Sequence, residues 1–116
     1  MFSLVTLTSL ALKSTGILTF APILSPSMEP AMHRGDLVVT TTLDTTPHVG
    51  DVYVYQDPNG AQIIHRLRSI NTDGTLVFKG DNNNIPDKPI PPTNITAKHV
   101  ATVPHLGKLI LTITGQ

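Results

Sequence analysis

Ten prolines and eight glycines are spread along this chain of 116 residues, and they limit its fold more than any other feature. Proline fixes φ and removes a backbone donor, while glycine reaches the turn conformations that other residues avoid. Long helices do not fit between such breaks. The intervening runs are short and rich in β-branched residues, at 37–42, 51–56, 61–70, 75–79 and 99–103. Gly35-Asp36, Gly50-Asp51, Asp57-Pro58-Asn59-Gly60 and Asn71-Thr72-Asp73-Gly74 punctuate them as turns. Residues 80–97, rich in Pro and Asn, read as a long irregular loop. The expected fold is mainly β, a small curled antiparallel sheet, with one domain at most. Alternation sets Val52 and Val54 against Tyr53 and Tyr55. It also puts Ile63, His65 and Leu67 on one face of their strand, with Arg66 and Arg68 on the other toward water. Residues 106–114 read as a final strand or as the stub of a second membrane helix, too short to span.

Residues 1–24 are apolar and long enough for a membrane-crossing helix, which needs about 20 residues. Lys13 lies near the centre, however, at a cost of roughly 2.5–3.5 kcal/mol on insertion scales, and Ser and Thr are frequent. A secretory signal would carry basic residues first, and Met1-Phe2-Ser3 does not. The segment is a shortened membrane anchor or an amphipathic or strand-like stretch packed on the domain. Charged residues make up 14% of the chain, against an ordinary value of about 25%, which suits a surface resting on a membrane or partner. Net charge is zero and no Lys/Arg stripe exists, which argues against nucleic acid as a partner. Without cysteine, disulfides and thiolate metal sites are excluded. Zinc spacings and Gly-rich phosphate loops are also missing, so no metal or cofactor is implied.

Ser25-Pro26-Ser27-Met28-Glu29-Pro30 follows the apolar segment directly. Pro26 and Pro30 push Ser25 and Glu29 out of the helical region, so Ser27 sits on a stiff loop. Residues 25–39, Ser-Pro-Ser-Met-Glu-Pro-Ala-Met-His-Arg-Gly-Asp-Leu-Val-Val, resemble the serine box and the Arg-Gly-Asp box of type I signal peptidases. The likeness is to the branch found in the endoplasmic reticulum, in archaea and in some bacteria. Ile63-Ile64-His65-Arg66-Leu67 and Lys79-Gly80-Asp81-Asn82-Asn83, followed by Asp87, resemble that family in the same order. The resemblance covers about residues 24–110. It implies a signal-peptidase-type catalytic domain over 25–116 behind an N-terminal anchor over 1–24.

The resemblance implies Ser27 as nucleophile and His65 as its base, where bacterial relatives carry lysine. An imidazole of ordinary pKa, about 6.5, is already neutral at pH 7, whereas a lysine would need strong desolvation. Asp87 resembles the acid that orients the histidine, and Asp81 a supporting carboxylate, with Asp81 the fallback for the acid. Ser25 resembles an oxyanion donor beside the Ser27 N–H. Pro26 stands where close relatives have glycine and removes a backbone donor. Met28 is read as a substrate-side or core residue. Glu29, His33 and Asp36 read as structural, and His48, His99 and His105 as surface or packing residues. The implied activity is cleavage of signal peptides from exported preproteins at a membrane, on the extracytoplasmic or lumenal side, with lipid and membrane subunits as partners. The rivals are a self-cleaving or repressor-type peptidase using Ser-Lys, which the histidine at 65 disfavours, and a catalytically silent β-rich subunit of a processing complex.

Overall fold

Six strands form one antiparallel sheet in the computed structural model, which describes residues 18–106. They are β1 (Leu18–Pro22), β2 (Leu37–Thr41), β3 (Val52–Gln56), β4 (Gln62–Ile70), β5 (Leu76–Lys79) and β6 (Ile95–Val103). Their spatial order is β1-β2-β6-β3-β4-β5, so the sheet is open, with β1 and β5 at its edges. The turns are those the sequence marks. Asp57 Oδ1 accepts the N–H groups of Asn59 and Ala61, both at 2.9 Å, and Gly60 closes the β3–β4 hairpin at φ +88°. Gly74 does the same for β4–β5 at φ +89°. A Cβ is costly in that left-handed region, which explains glycine at both places.

Register shifts at Val39/Thr40, Val54/Tyr55 and Leu67/Ser69 interrupt the β2–β6, β3–β6 and β4–β5 pairings. Such irregularities bend a sheet and increase its twist, and here they curl it. Two apolar clusters cover its faces. Tyr53, Tyr55, Leu67, Leu76, Phe78 and Ile90 form one. In it the Phe78 ring stacks on Tyr55 at 4.6 Å between centroids and meets Tyr53 edge-on at 6.1 Å. Ile23, Met28, Met32, Val38 and Val52 form the other, with Ile64 against it.

Two sequence expectations change, and for residues 18–22 the strand-like alternative is the one observed. Residues 18–22 of the presumed anchor are strand, paired with β2 from Leu18↔Thr41 to Pro22↔Leu37 and bonded to it through the Thr19 and Thr40 hydroxyls. A helical reading therefore cannot extend over them, and its remainder, 1–17, lies outside the described residues, as do residues 107–114 of the terminal stretch. The last strand begins at Ile95 rather than His99, after a single 3-10 turn at Pro92–Asn94. Arg66 does not look freely to water but is held by an ion pair described below.

Phe78 is fully buried between two tyrosines. Phe78→Ala is expected to cost about 3–5 kcal/mol, read as a lower urea midpoint with an unchanged slope.

Candidate active site

β5 pairs with β4 only from Arg66 to Ile70, so Gln62–His65 has no strand on that side among the described residues. The loop carrying Ser27 comes in there. Its backbone is fixed by Glu29 N–H to Pro26 O at 3.1 Å and Met32 N–H to Met28 O at 3.0 Å, and the Glu29–Pro30 bond is cis. Met28 and Met32 plug into the second core cluster and anchor the loop from below. Met28 is thus a core residue, 1% exposed, although one side of it lines the cleft above.

The Ser27 hydroxyl lies 3.1 Å from His65 Nε2, and His65 Nδ1 lies 2.5 Å from Asp87 Oδ2. The three side chains, far apart in the chain, form one hydrogen-bonded row. His65 is buried at 8% exposure, which limits competition from water. Asp87 sits on a loop, with its N–H bonded to Phe78 O at 2.8 Å. The alternative that Asp87 serves only as a surface partner of Lys88 does not match these contacts. Tyr55, which the sequence marked only as part of an alternating strand, donates its hydroxyl to Asp87 Oδ2 at 2.5 Å.

Asp81 is placed differently. Its carboxylate takes a two-point bond from Arg66, Nε to Oδ1 at 3.0 Å and Nη2 to Oδ2 at 2.8 Å. Arg66 Nη1 also donates to Gly50 O at 2.7 Å. The Arg66 guanidinium holds the Asp81 carboxyl below the usual carboxylate range, against a smaller opposing effect of burial. Asp81 therefore supports its turn and does not reach the histidine.

That turn meets the serine loop at close quarters. Asn82 N–H donates to Ser27 O at 2.8 Å, Asn82 Nδ2 to Pro26 O at 3.2 Å, and Asp81 N–H to the Met28 sulfur at 3.4 Å. A Cβ on Gly80 would stand 2.6 Å from Ser27 O, 2.7 Å from Asn83 Nδ2 and 3.0 Å from His65 Nε2. Only glycine fits between loop and imidazole. Gly80 belongs to the box at residues 79–83, but nothing in a single sequence distinguishes a close approach from an ordinary turn.

Ser25 lies at the site with a difference from expectation. Its hydroxyl oxygen accepts the Ser27 N–H at 3.1 Å, so two groups expected to donate side by side are bonded to each other. The Ser25 hydroxyl proton remains available to donate. The remaining candidates fall outside. Asp36 is buried and caps the backbone N–H groups of His33 and His105 at 2.8 and 3.2 Å, a scaffold role. His99 bonds Thr102 Oγ1 at 2.7 Å, and burial lowers its pKa. Among the described residues, no three His, Asp or Glu side chains converge as metal ligands would.

A cleft of about 400 Å³ opens over the serine, between 22–25 and 62–65, with Ile23, Leu24, Ile63 and Ile64 as its apolar walls. It continues along the sheet into a hollow of about 420 Å³ floored by Val38, Val54 and Ala97. A half-buried serine beside a buried histidine and an apolar groove can perform acyl transfer on a peptide.

Known proteins resemble this chain over most of its length. The Peptidase S24-like family model matches residues 5–103. The signal peptidase complex catalytic subunit SEC11 of Scheffersomyces stipitis is 33% identical over 120 residues, taking in 88% of this chain and 72% of that protein. SEC11 of Plasmodium falciparum is 45% identical over 73 residues, 57% of this chain and 38% of its own length. SEC11C of Homo sapiens is 38% identical over 72 residues, again 57% and 38%. The matched region thus spans less than half the length of the Plasmodium and human relatives.

Two outcomes follow from the geometry. Gly80→Ala should force the serine loop away from the imidazole, and a crystal structure of the variant should show Ser27 Oγ beyond hydrogen-bonding reach of His65 Nε2. Asp81, its pKa lowered on folding by Arg66, contributes stability that is full above the unfolded carboxyl range, about 3.9. That contribution is lost as pH falls through the lowered folded value. Asp81→Asn should cost about 1–3 kcal/mol at neutral pH and flatten the acid-side decline in urea midpoint.

Proposed function

The chain belongs to the Peptidase S24-like family, among the signal peptidases of the endoplasmic-reticulum branch, and we propose that it is a membrane-associated serine endopeptidase that removes N-terminal signal peptides from exported preproteins. The observation that carries this reading is the row Ser27–His65–Asp87 at the mouth of an apolar cleft.

In this reading, Ser27 Oγ attacks the scissile carbonyl while His65 Nε2 takes its proton. The Nδ1–H bond to Asp87 fixes the tautomer and stabilises the imidazolium that forms. The developing oxyanion is met by the Ser25 O–H. It is also met by the Ser27 N–H, once the substrate oxygen replaces Ser25 Oγ as its acceptor. The imidazolium then gives its proton to the leaving amine as the C–N bond breaks. Water, activated by the same nitrogen, hydrolyses the acyl-serine. Pro26 leaves no backbone donor between the two serines, so the Ser25 hydroxyl carries more of the oxyanion binding.

The substrate reading rests on the cleft. An extended segment laid between 22–25 and 62–65 would place small side chains against Ile23, Ile63 and Ile64, and the adjoining hollow would receive residues further upstream. Leu24 at the cleft wall and Phe20 on β1 are 59% and 61% exposed, which supports lipid or a membrane subunit beside the cleft. Among the described residues, no helix is long and apolar enough to cross a membrane. The relatives named above are catalytic subunits of a signal peptidase complex, which supports partner subunits for this chain as well. A catalytically silent subunit is not favoured, because binding alone would not need a histidine aligned between a serine and a carboxylate.

Incubation with a preprotein is the test. Ser27→Ala and His65→Ala should each lower the cleavage rate at least about 10³-fold with urea midpoints close to the parent. Equal cleavage by all three proteins would sink the proposal. The rate should also fall on the acid side of neutrality, as a histidine base becomes protonated.

A further inference from the structure

Asp87 is a carboxylate on an irregular loop, flanked by Pro86 and Lys88, yet its position is tightly determined. Two elements hold it, and both involve Phe78. The Phe78 carbonyl accepts the Asp87 N–H at 2.8 Å. The Phe78 ring stacks on Tyr55, whose hydroxyl donates to Asp87 Oδ2 at 2.5 Å. Tyr55 itself is 2% exposed on β3, directly opposite Ile63 and two pairs along from Tyr53↔His65. The oxygen it binds is the same oxygen that faces His65 Nδ1.

We propose that Tyr55 is a positioning residue of the active site: its hydroxyl fixes Asp87 Oδ2 so that the carboxylate meets His65 Nδ1 in one orientation. This rests on the reading of Ser27 and His65 given above. The phenol suits the task chemically. Burial, and after it the hydrogen bond and charge of Asp87, push its pKa up, so it keeps its proton and remains a donor. A second donor on Oδ2 also draws charge from the carboxylate, which weakens its pull on the histidine proton. Tyr55 therefore restrains Asp87 in both geometry and basicity.

The other charged groups near this oxygen are few. Asp57, in the β3–β4 turn, acts on Tyr55 through its charge. Lys88 and Asp57 line a hollow of about 310 Å³ behind the His65–Asp87 pair. On β4, Arg66 is neutralised by Asp81. Lys79 donates its ammonium to the carbonyls of Gly80 and Asn83 at 3.0 and 2.7 Å.

Tyr55→Phe keeps the ring on Phe78 and removes only the hydroxyl. In preprotein cleavage it should lower kcat about tenfold with KM little changed, a loss of the size of one hydrogen bond to a charged group. The acid limb of the pH–rate profile should move upward by about half a unit, because the less restrained carboxylate holds the histidine proton more tightly. Added to Asp87→Asn, the same substitution should cause no further loss in kcat and no further shift. A purely structural role for Tyr55 predicts instead an equal loss in both backgrounds and an unmoved acid limb, and that result would overturn the proposal, as would parent-like kcat and profile. Ser27→Ala serves as the separate control. If it cleaves like the parent, the protease reading itself fails. If it is inactive while Tyr55→Phe matches the parent, only the role of Tyr55 fails.

Discussion

The backbone contact between the serine loop and the turn after β5 is the constraint on which the site depends. Among the described residues the loop has no strand partner, so two things place Ser27: the methionines sunk into the core below it, and the Asn82 bonds to the carbonyls of Pro26 and Ser27 beside it. That turn is in turn fastened to β4, because Asp81 takes a forked bond from Arg66. Arg66 is the neighbour of His65 in the chain. One short turn therefore sets the distance between hydroxyl and imidazole, from the loop on one side and the strand on the other. The approach is so close that the Cα hydrogens of Gly80 occupy all the room available.

The site also needs the sheet to be incomplete. β5 ends at Lys79 opposite Arg66, and the chain turns away before it can cover Gln62–His65. A longer β5 would pair with those residues and fill the space that the serine loop and the cleft now use. Gly80 serves here too, since it follows the last paired residue and begins the turn. The same feature thus stops the sheet and admits the loop. The Leu67/Ser69 shift bends the hairpin just beyond this point, so β5 keeps Phe78 under Tyr55 while its end diverges.

Local signals made the β3–β4–β5 meander legible: period-two alternation, and glycines and aspartates at turns whose geometry requires them. Ser27, His65 and Asp87 were legible only through three boxes resembling a known family, because alternation alone leaves His65 as an ordinary half-buried histidine. What escaped the sequence depends on tertiary contact. Residues 18–22 are apolar enough for either a membrane or a strand, and pairing with β2 decides between them. Pro86, Pro89, Pro91 and Pro92 obscure the onset of β6 at Ile95, since the sheet accepts a strand after only one 3-10 turn beginning at the last of these breaks. Alternation correctly turned Arg66 away from the His65 face, but it could not show that a carboxylate fifteen residues later would meet it there. Tyr55 looked like core and is core; only its hydroxyl reveals a second use.

Two aspartates six residues apart meet different partners, and those partners explain the different roles proposed for them. Asp81 faces a guanidinium, which is charged at every relevant pH. Its own charge is permanently matched, and it has little left to offer a group that becomes charged only briefly. Asp87 faces a phenol and an imidazole, both neutral when the latter is to act as a base. Its negative charge is therefore unmatched until the histidine takes up a proton. In the proposed reaction that moment comes with attack on the carbonyl, and the attraction then strengthens toward the transition state rather than in the resting site. Such a differential interaction lowers a barrier, whereas a constant one only adds stability. Exchanging the two partners would leave both carboxylates in place and remove the advantage, so it is the neutrality of the groups around Asp87, as much as its distance from His65, that suits it to the role.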